Sequence, residues 1–328
     1  MNREKRKILF VCPSFSSFIQ NDLNTLSRHF EVRVVHYRGK KGLLKFLIEI
    51  LKGILWADLT FSWFADVHAL AAVLFSKIFR RKSIVIVGGY EVAEVPEIEY
   101  GGMLSITKTF IVKFVLKHAD EVLAVSEFSK EEILKCASPK RIDLVYNSIM
   151  SDIFKPIGKK KDIVMTVSAG NTWDRAQLKG LDTFVKTAAF LPEVTFMVVG
   201  IGERIIEELI KIANPNVDFI GRLPQDGLVS YYQKAKVYCQ LSMYESFGMT
   251  LAEAMACGCV PVTTDTGALP EVAGDTGFYV PYGDPEATAE AIKEALKSDK
   301  GNEGRARIDR MFLMGRREKE LIQIIKDV

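Results

Sequence analysis

Tyr244-Glu245-Ser246-Phe247-Gly248-Met249-Thr250-Leu251-Ala252-Glu253-Ala254-Met255-Ala256-Cys257-Gly258, followed by Val260-Pro261-Val262-Thr263-Thr264, reads as a turn, a helix and a strand. A short apolar run at 237–240 stands before it. Good helix formers fill the positions from Met249 to Cys257, and Gly248 just ahead of them permits a close backbone turn. Strand, turn, helix and strand in that order make a βαβ unit, with parallel strands and a right-handed crossover. The helix begins on the loop after a strand, so the amides of Phe247, Gly248 and Met249 should point out of its end. Such an end offers roughly half a positive charge and several N–H donors, which suits a diphosphate without a metal.

The same alternation extends in both directions. Strands are expected at 163–167, 195–199, 217–220, 237–240 and 260–263 in the second half. In the first half they are expected at 8–12, 31–36, 57–61, 83–87, 121–125 and 141–146, with helical segments between. At 328 residues the chain suits two α/β domains of roughly 100 to 150 residues each. The expected division is 1–156 and 157–311, with Lys159-Lys160-Lys161 opening the second series. The segment from Arg305 to Val328 reads as helical, with Phe312, Leu321, Ile324 and Ile325 burying one face and a C-terminal helix from about 312 expected to pack back on the first domain. Tandem doubly wound sheets place ligands in a cleft at the carboxyl ends of their strands.

Hydrophobic residues make up 48% of the chain and charged residues 26%, the balance of a packed globular protein. Every apolar block is broken by a charge before the ~18 residues that a membrane span requires. Arg3, Lys5, Arg6 and Lys7 before an apolar run resemble a signal peptide. That run is short and ends at Pro13 without a small-residue cleavage site, so it reads as a strand. Five scattered cysteines form no disulfide framework and suit a reducing, cytoplasmic compartment. Cys257-Gly258-Cys259 has no second Cys or His pair nearby, and His29, His36, His68 and His118 lack metal spacing; no metal is assigned.

Net charge is +3, yet residues 1–158 hold 23 Lys+Arg against 17 Asp+Glu, and the remainder 21 against 24. That asymmetry is compatible with an anionic membrane surface or a phosphorylated acceptor and is too weak for a nucleic-acid binder. Residues 40–56, from Lys40-Lys41 to Trp56, form a basic amphipathic helix candidate. Covering the sheet is favoured over lying on a membrane by about two to one. Oligomeric state is not legible.

Glu253, a turn or two into its helix, leans back toward the helix start, where a carboxylate accepts both hydroxyls of a ribose. Taken alone it would read as a partner of the helix dipole. Glu245, in the loop before, would meet the sugar of the donor. This stretch resembles the signature of the family 4 retaining glycosyltransferases, in which Glu and seven residues precede a second Glu, with Phe-Gly after the first and Glu-Ala-Met-Ala around the second. Thr266-Gly267-Ala268-Leu269-Pro270-Glu271-Val272 and the segment from Thr276-Gly277-Phe278 to Tyr282-Gly283-Asp284 are similar to later blocks of that family, with Ala268 replacing a Gly. Gln177-Leu178-Lys179-Gly180-Leu181-Asp182 resembles its Lys-Gly pair, and Lys179 fits as a point charge on the donor phosphates. The Arg that the family carries six residues earlier is Trp173 here, within the loop Gly170-Asn171-Thr172-Trp173-Asp174-Arg175-Ala176, so Arg175 or Arg222 is expected to stand in. Gly221-Arg222-Leu223-Pro224 resembles the loop that holds the base.

The resemblance implies the GT-B fold, an α/β arrangement of two doubly wound Rossmann-like domains facing each other across a cleft. It implies transfer of a hexosyl or acetylhexosaminyl group from a UDP- or GDP-sugar to a lipid-linked or polysaccharide acceptor, with retention, without a metal and with no cofactor beyond the donor. Glu245 and Lys179 become the catalytic candidates. Arg175, Arg222, Phe247, Gly248, Met249, Glu253, Gly170 and Asn171 become the donor-binding ones. On the acceptor side stand Ser14, in Pro13-Ser14-Phe15-Ser16-Ser17 where the family has a Gly-Gly turn, and Gly89 and Tyr90, in Val87-Gly88-Gly89-Tyr90-Glu91 where it has His-Gly-x-Asp. His68 is a further acceptor-side candidate, although a packed histidine is the commoner reading.

Three rivals compete. A glycoside hydrolase using Glu245 and Glu253 is disfavoured, because eight residues of continuous helix would part them by about 12 Å, beyond the roughly 5 to 9.5 Å such pairs use. A dinucleotide oxidoreductase, suggested by Val199-Gly200-Ile201-Gly202, lacks the third Gly of its fingerprint. The remaining alternative is a non-catalytic or epimerase-like sugar-nucleotide-binding protein on the same fold.

Overall fold

The computed structural model describes residues 5–39 and 42–328; Arg3 and the Lys40-Lys41 pair lie outside the described residues. The chain forms two compact units, one of residues up to Ser148 together with Gly315–Val328, the other Ile149–Met314.

In the first unit the order is β1 (Lys7–Cys12), α1 (Ser17–His29), β2 (Glu31–His36), α2 (Leu43–Trp56), β3 (Leu59–Trp63), α3 (Val67–Ile78), β4 (Lys82–Val87), α4 (Ile106–His118), β5 (Glu121–Ala124), α5 (Glu127–Cys136) and β6 (Ile142–Leu144). All strands are parallel, ordered β2-β1-β3-β4-β5-β6. A central parallel strand is covered on both faces, so it needs a continuous apolar run rather than alternation. Ile8, Leu9, Phe10, Val11 and Cys12 supply one and are fully buried. Successive steps from β2 to β5 run in one direction across the sheet, so right-handed crossovers put α2, α3 and α4 on one face. α2 packs against α3, and α3 against α4.

The second unit contains β7 (Lys161–Val167), α6 (Trp173–Leu178), α7 (Leu181–Thr187), β8 (Thr195–Val199), α8 (Glu203–Ile210), β9 (Val217–Ile220), α9 (Gln225–Lys234), β10 (Ala235–Gln240), α10 (Met249–Ala256), β11 (Val260–Thr264), α11 (Leu269–Ala273), β12 (Phe278–Val280), α12 (Pro285–Lys297) and α13 (Lys300–Met311). Its parallel sheet is ordered β12-β11-β10-β7-β8-β9. The order reverses beside β7 and β10, the place where a doubly wound sheet opens a crevice at its carboxyl edge. Both units are doubly wound and Rossmann-like, the arrangement of the GT-B fold.

The structure departs from the sequence-based reading in a few elements. The third strand begins at Leu59, because Ala57 still closes α2 through its amide to Gly53 O (2.8 Å). β12 was not anticipated; a three-residue edge strand is too short to show a period. The final segment is two helices. α13 stops at Met311, and α14 (Met314–Asp327) follows after Phe312, whose carbonyl accepts from Ile149 N (2.8 Å). Phe312 is buried in the second unit while Leu321 and Ile325 are buried in the first, and Ile324 stays half-buried.

Candidate active site

α10 starts at Gly248, which adopts φ +91° and offers no side-chain cap. The first internal helical bond is Ala252 N to Gly248 O (3.0 Å), so the amides of Met249, Thr250 and Leu251 have no partner within the helix. The Phe247 ring is buried, edge-on to Phe312 with centroids 5.4 Å apart.

Before this helix, Glu245 forms an ion pair with Lys179, and both side chains are largely covered. Backbone contacts hold the two residues in place. Met243 N bonds Leu178 O (2.8 Å), and Gly180, at φ +63°, lies so close that an added Cβ would sit 2.1 Å from Leu241 O. On the other side Ala268 N bonds Glu245 O (2.8 Å), and a Cβ on Gly267 (φ +59°) would sit 2.4 Å from that same carbonyl. The Lys-Gly turn and the Gly267 turn therefore grip the loop that carries Glu245.

A buried network that the sequence reading missed fixes the helix start. Tyr238 Oη and Thr250 Oγ1 each donate to Gln240 Oε1 at 2.9 Å, and Gln240 Nε2 donates to Ser242 Oγ at 2.8 Å. Thr264 and Thr266 both donate to Ser242 O at 2.6 Å. The available signal was a glutamine ending an otherwise apolar strand.

Glu253 lies in the second turn of α10, buried, and accepts from Tyr232 Oη at 3.2 Å. Burial pushes its carboxyl up to about 7, with the Tyr232 hydrogen bond opposing. Asn171 and Arg222 line a cavity of about 460 Å³ together with Gly202, Glu203, Arg204 and Ile205. It lies where the loops after β7, β8 and β9 meet the start of α8. Gly202 entered the sequence analysis only through the partial dinucleotide fingerprint that was set aside, and Glu203 was given no role. The expected loop from Gly170 to Ala176 instead coils into α6 at Trp173, because Thr172 caps it by accepting from Arg175 N (3.4 Å). Arg175 is exposed there, and Gly170 passes close enough that a Cβ would lie 2.9 Å from Arg175 Cβ.

In the first unit, Ser14 is exposed in the loop after β1, where Phe15 tilts onto His36 at 5.0 Å. Gly89, at φ +119°, belongs to a loop organised by Glu91, which the sequence reading quoted without giving it a role. The buried Glu91 carboxylate accepts from Gly88 N (2.9 Å), Gly89 N (2.9 Å) and Ala65 N (3.2 Å), tying the loops after β4 and β3 together. Burial raises its pKa against those amide bonds. Tyr90 is exposed and accepts from Lys108 Nζ at 3.2 Å. His68 is a correction: its ring is buried, its Nε2 bonds Trp63 O and its face stacks on Tyr37 at 5.9 Å. Desolvation lowers its pKa, so it packs the core as a neutral ring and does not present itself to an acceptor.

Residues 164–298 match the family described as glycosyl transferases group 1. A phosphatidylinositol N-acetylglucosaminyltransferase chain from Arabidopsis thaliana is 28% identical over 63% of this chain and 49% of its own length. An N-acetyl-alpha-D-glucosaminyl L-malate synthase from Bacillus anthracis is 29% identical over 58% of this chain and 53% of its own. The chain thus spans about half the length of these curated relatives. A sucrose-phosphate synthase from Thermosynechococcus elongatus has the same fold, with a TM-score of 0.83 over 98% of this chain and 99% of that one at 17% identity.

Proposed function

We propose that this chain, whose residues 164–298 match the glycosyl transferases group 1, is a retaining, metal-independent glycosyltransferase. It moves a hexosyl or acetylhexosaminyl group from a UDP- or GDP-sugar to a lipid-linked or polysaccharide acceptor. The observation that carries the reading is the Lys179–Glu245 ion pair beside an uncapped helix start, both on loops at the carboxyl edge of a parallel sheet. The names of the curated relatives, acetylglucosaminyl-transferring among them, support the class of donor.

In this reading the donor diphosphate lies at the start of α10, takes hydrogen bonds from the amides of Gly248 and Met249, and draws Lys179 away from Glu245. Charge developing on the leaving diphosphate is stabilised there, the main source of acceleration. The bond from the sugar C1 to the diphosphate oxygen breaks and the acceptor oxygen bonds C1 on the same face. The departing phosphate takes the acceptor proton, and no side-chain nucleophile takes part. Glu245, released from Lys179, holds sugar hydroxyls. Glu253 accepts from the ribose, the Asn171–Arg222 cavity receives the base, and Gly170 and Arg175 belong to the segment that carries Asn171 into α6. Ser14, Gly89 and Tyr90 serve the acceptor. Five free thiols support a reducing, cytoplasmic setting.

A thermal-shift series over UDP- and GDP-sugars, run with and without a chelator, tests the reading through binding-linked stabilisation. One base series should stabilise the protein, and slow donor hydrolysis should survive the chelator. Binding without hydrolysis or transfer would favour the non-catalytic alternative, and a C2-epimerised sugar nucleotide the epimerase.

A further inference from the structure

α2 has two apolar faces. Phe46, Ile50, Gly53 and Ile54 are buried on the sheet, Gly53 so tightly that an added Cβ would lie 2.4 Å from Leu9 Cδ1. Opposite them, Leu44, Ile48, Leu51 and Leu55 follow one another at steps of four, three and four residues, a single stripe along the helix. They are 74%, 46%, 36% and 56% exposed. One stripe is enough for a helix that covers a sheet, so the second needs another partner.

The neighbouring helices continue this surface. α3 turns Leu74 and Ile78 outward, opposite its buried Ala69, Ala72 and Val73, and α4 exposes Ile106 and Phe110. Arg81 Nη2 reaches Leu55 O (3.4 Å), joining the ends of α2 and α3. Charge in this layer is one-sided. The helices α2, α3 and α4 hold six lysines and a single acid, Glu49, which lies 3.8 Å from Lys45. On α2, Lys45 and Lys52 flank the exposed stripe; Lys77, Lys113 and Lys117 stand exposed on α3 and α4.

We infer that the outer face of α2, α3 and α4 docks on an anionic lipid bilayer, the α2 stripe entering the headgroup boundary and the lysines holding lipid phosphates. An apolar stripe bordered by lysines is the pattern of a helix lying in a membrane interface, and each basic residue near such a surface adds to binding. A second copy of the chain fits poorly, since a twofold contact would set one basic layer against its twin. A protein partner fits poorly too, because the cores of protein interfaces are depleted in lysine. The inference does not depend on the reaction proposed above.

Vesicle flotation of the full chain provides the test, comparing phosphatidylcholine vesicles with vesicles that also contain phosphatidylglycerol. The protein should float with the anionic vesicles only and be released at about 1 M salt, where the Debye length is about 3 Å. The combined variant Ile48→Gln/Leu55→Gln should lose binding. Lys45→Gln/Lys52→Gln/Lys113→Gln should weaken it by about fivefold per lysine. All five side chains are exposed, so the fold should be kept, and circular dichroism checks it. Equal flotation with both vesicles, no flotation of the unaltered chain, or flotation indifferent to both variants would overturn the inference. So would a concentration-dependent dimer that Ile48→Gln abolishes, which would give the face to a second copy.

Discussion

Arg317 and Asp22 meet inside the first unit as a two-pronged ion pair, Nε to Oδ1 at 2.7 Å and Nη2 to Oδ2 at 2.8 Å, with 4% and 1% of their side chains exposed. Trp63 Nε1 also donates to Asp22 Oδ2 (3.0 Å), and Arg317 Nη1 donates to Val145 O (2.9 Å) and Tyr146 O (2.7 Å). One guanidinium thus fastens α14 to α1 and to the chain just after β6, joining α14 to a helix 295 residues away in sequence.

Removing one partner should therefore unfasten the last helix. Arg317→Ala leaves the buried Asp22 carboxylate without its counter-charge and removes a donor from the Val145 and Tyr146 carbonyls, and should destabilise the first unit by about 3 to 5 kcal/mol. Urea denaturation measures the loss. Arg317→Met with Asp22→Leu should regain much of it, since paired removal strands no charge. A single variant as stable as the parent would show that the pair contributes nothing to holding α14.

Glu245 and Lys179 should fail differently from Glu253. Under the proposed reaction, Lys179→Met removes a charge that acts on the leaving group, and turnover should fall on the order of 100-fold or more. Glu245→Ala should cripple transfer as well. Glu253→Ala should act mainly on donor affinity, by about 1.5 to 3 kcal/mol for each charge-assisted hydrogen bond lost. Steady-state kinetics with donor titration separates the two patterns, and normal turnover in both glutamate variants would remove the assignment.

Glu253 should contribute a fall in stability as pH rises from about 4.5 to about 7, opposed by His68, whose lowered pKa makes folding more favourable as pH rises toward 6.5. The Glu253 carboxyl keeps its proton in the folded chain up to about 7, against an ordinary value of 4.5. Below that window both states are protonated and the residue contributes no pH dependence. Within it the unfolded chain ionises first, so stability declines, by up to about 3 kcal/mol, and levels off above it. Glu121, buried on β5, is raised to about 7 by desolvation and then by Asp143, with Arg141 opposing, and should add to the same slope. Glu253→Gln should make the decline shallower and adding Glu121→Gln shallower still. An unchanged slope in Glu253→Gln would show that its carboxyl ionises normally.

The fold was legible where the sequence carries repetition. Apolar runs such as 8–12 and 195–199, set between helical segments, identify parallel strands because central strands are buried on both faces. Of the candidate site, the loop and helix from Glu245 to Glu253 were legible as local structure, because Gly248 and the helix formers after it mark the turn and the helix. What stayed hidden depends on contacts distant in sequence. Nothing near Glu91 says that its carboxylate will gather the amides of Ala65, Gly88 and Gly89. His68 was kept as an acceptor-side candidate beside the commoner packed reading, and the stacking of Tyr37, just after β2, decides for the core. The two uses weighed for the segment ending at Trp56 were posed as alternatives, although opposite faces of one helix can be apolar for different reasons.

The position of Glu245 relative to Gly267 yields the narrowest test. At φ +59° a side chain is already strained at Gly267, and its Cβ would lie 2.4 Å from Glu245 O and 2.9 Å from Glu245 N. These are backbone atoms, which cannot swing aside as the end of a side chain does, so the Glu245 loop itself must shift. Gly283 has a similar φ, +79°, with nothing within 4 Å of the added atom. Gly283→Ala should thus cost only the conformational strain, about 1 to 2 kcal/mol, and leave transfer intact. Gly267→Ala should lower kcat on the order of 100-fold, the effect of misplacing a reacting geometry by about 1 Å, while donor affinity changes far less. Measuring both variants under donor saturation isolates placement from stability. Equal activity in the two would mean that the position of Glu245 does not limit the reaction, whatever its charge does.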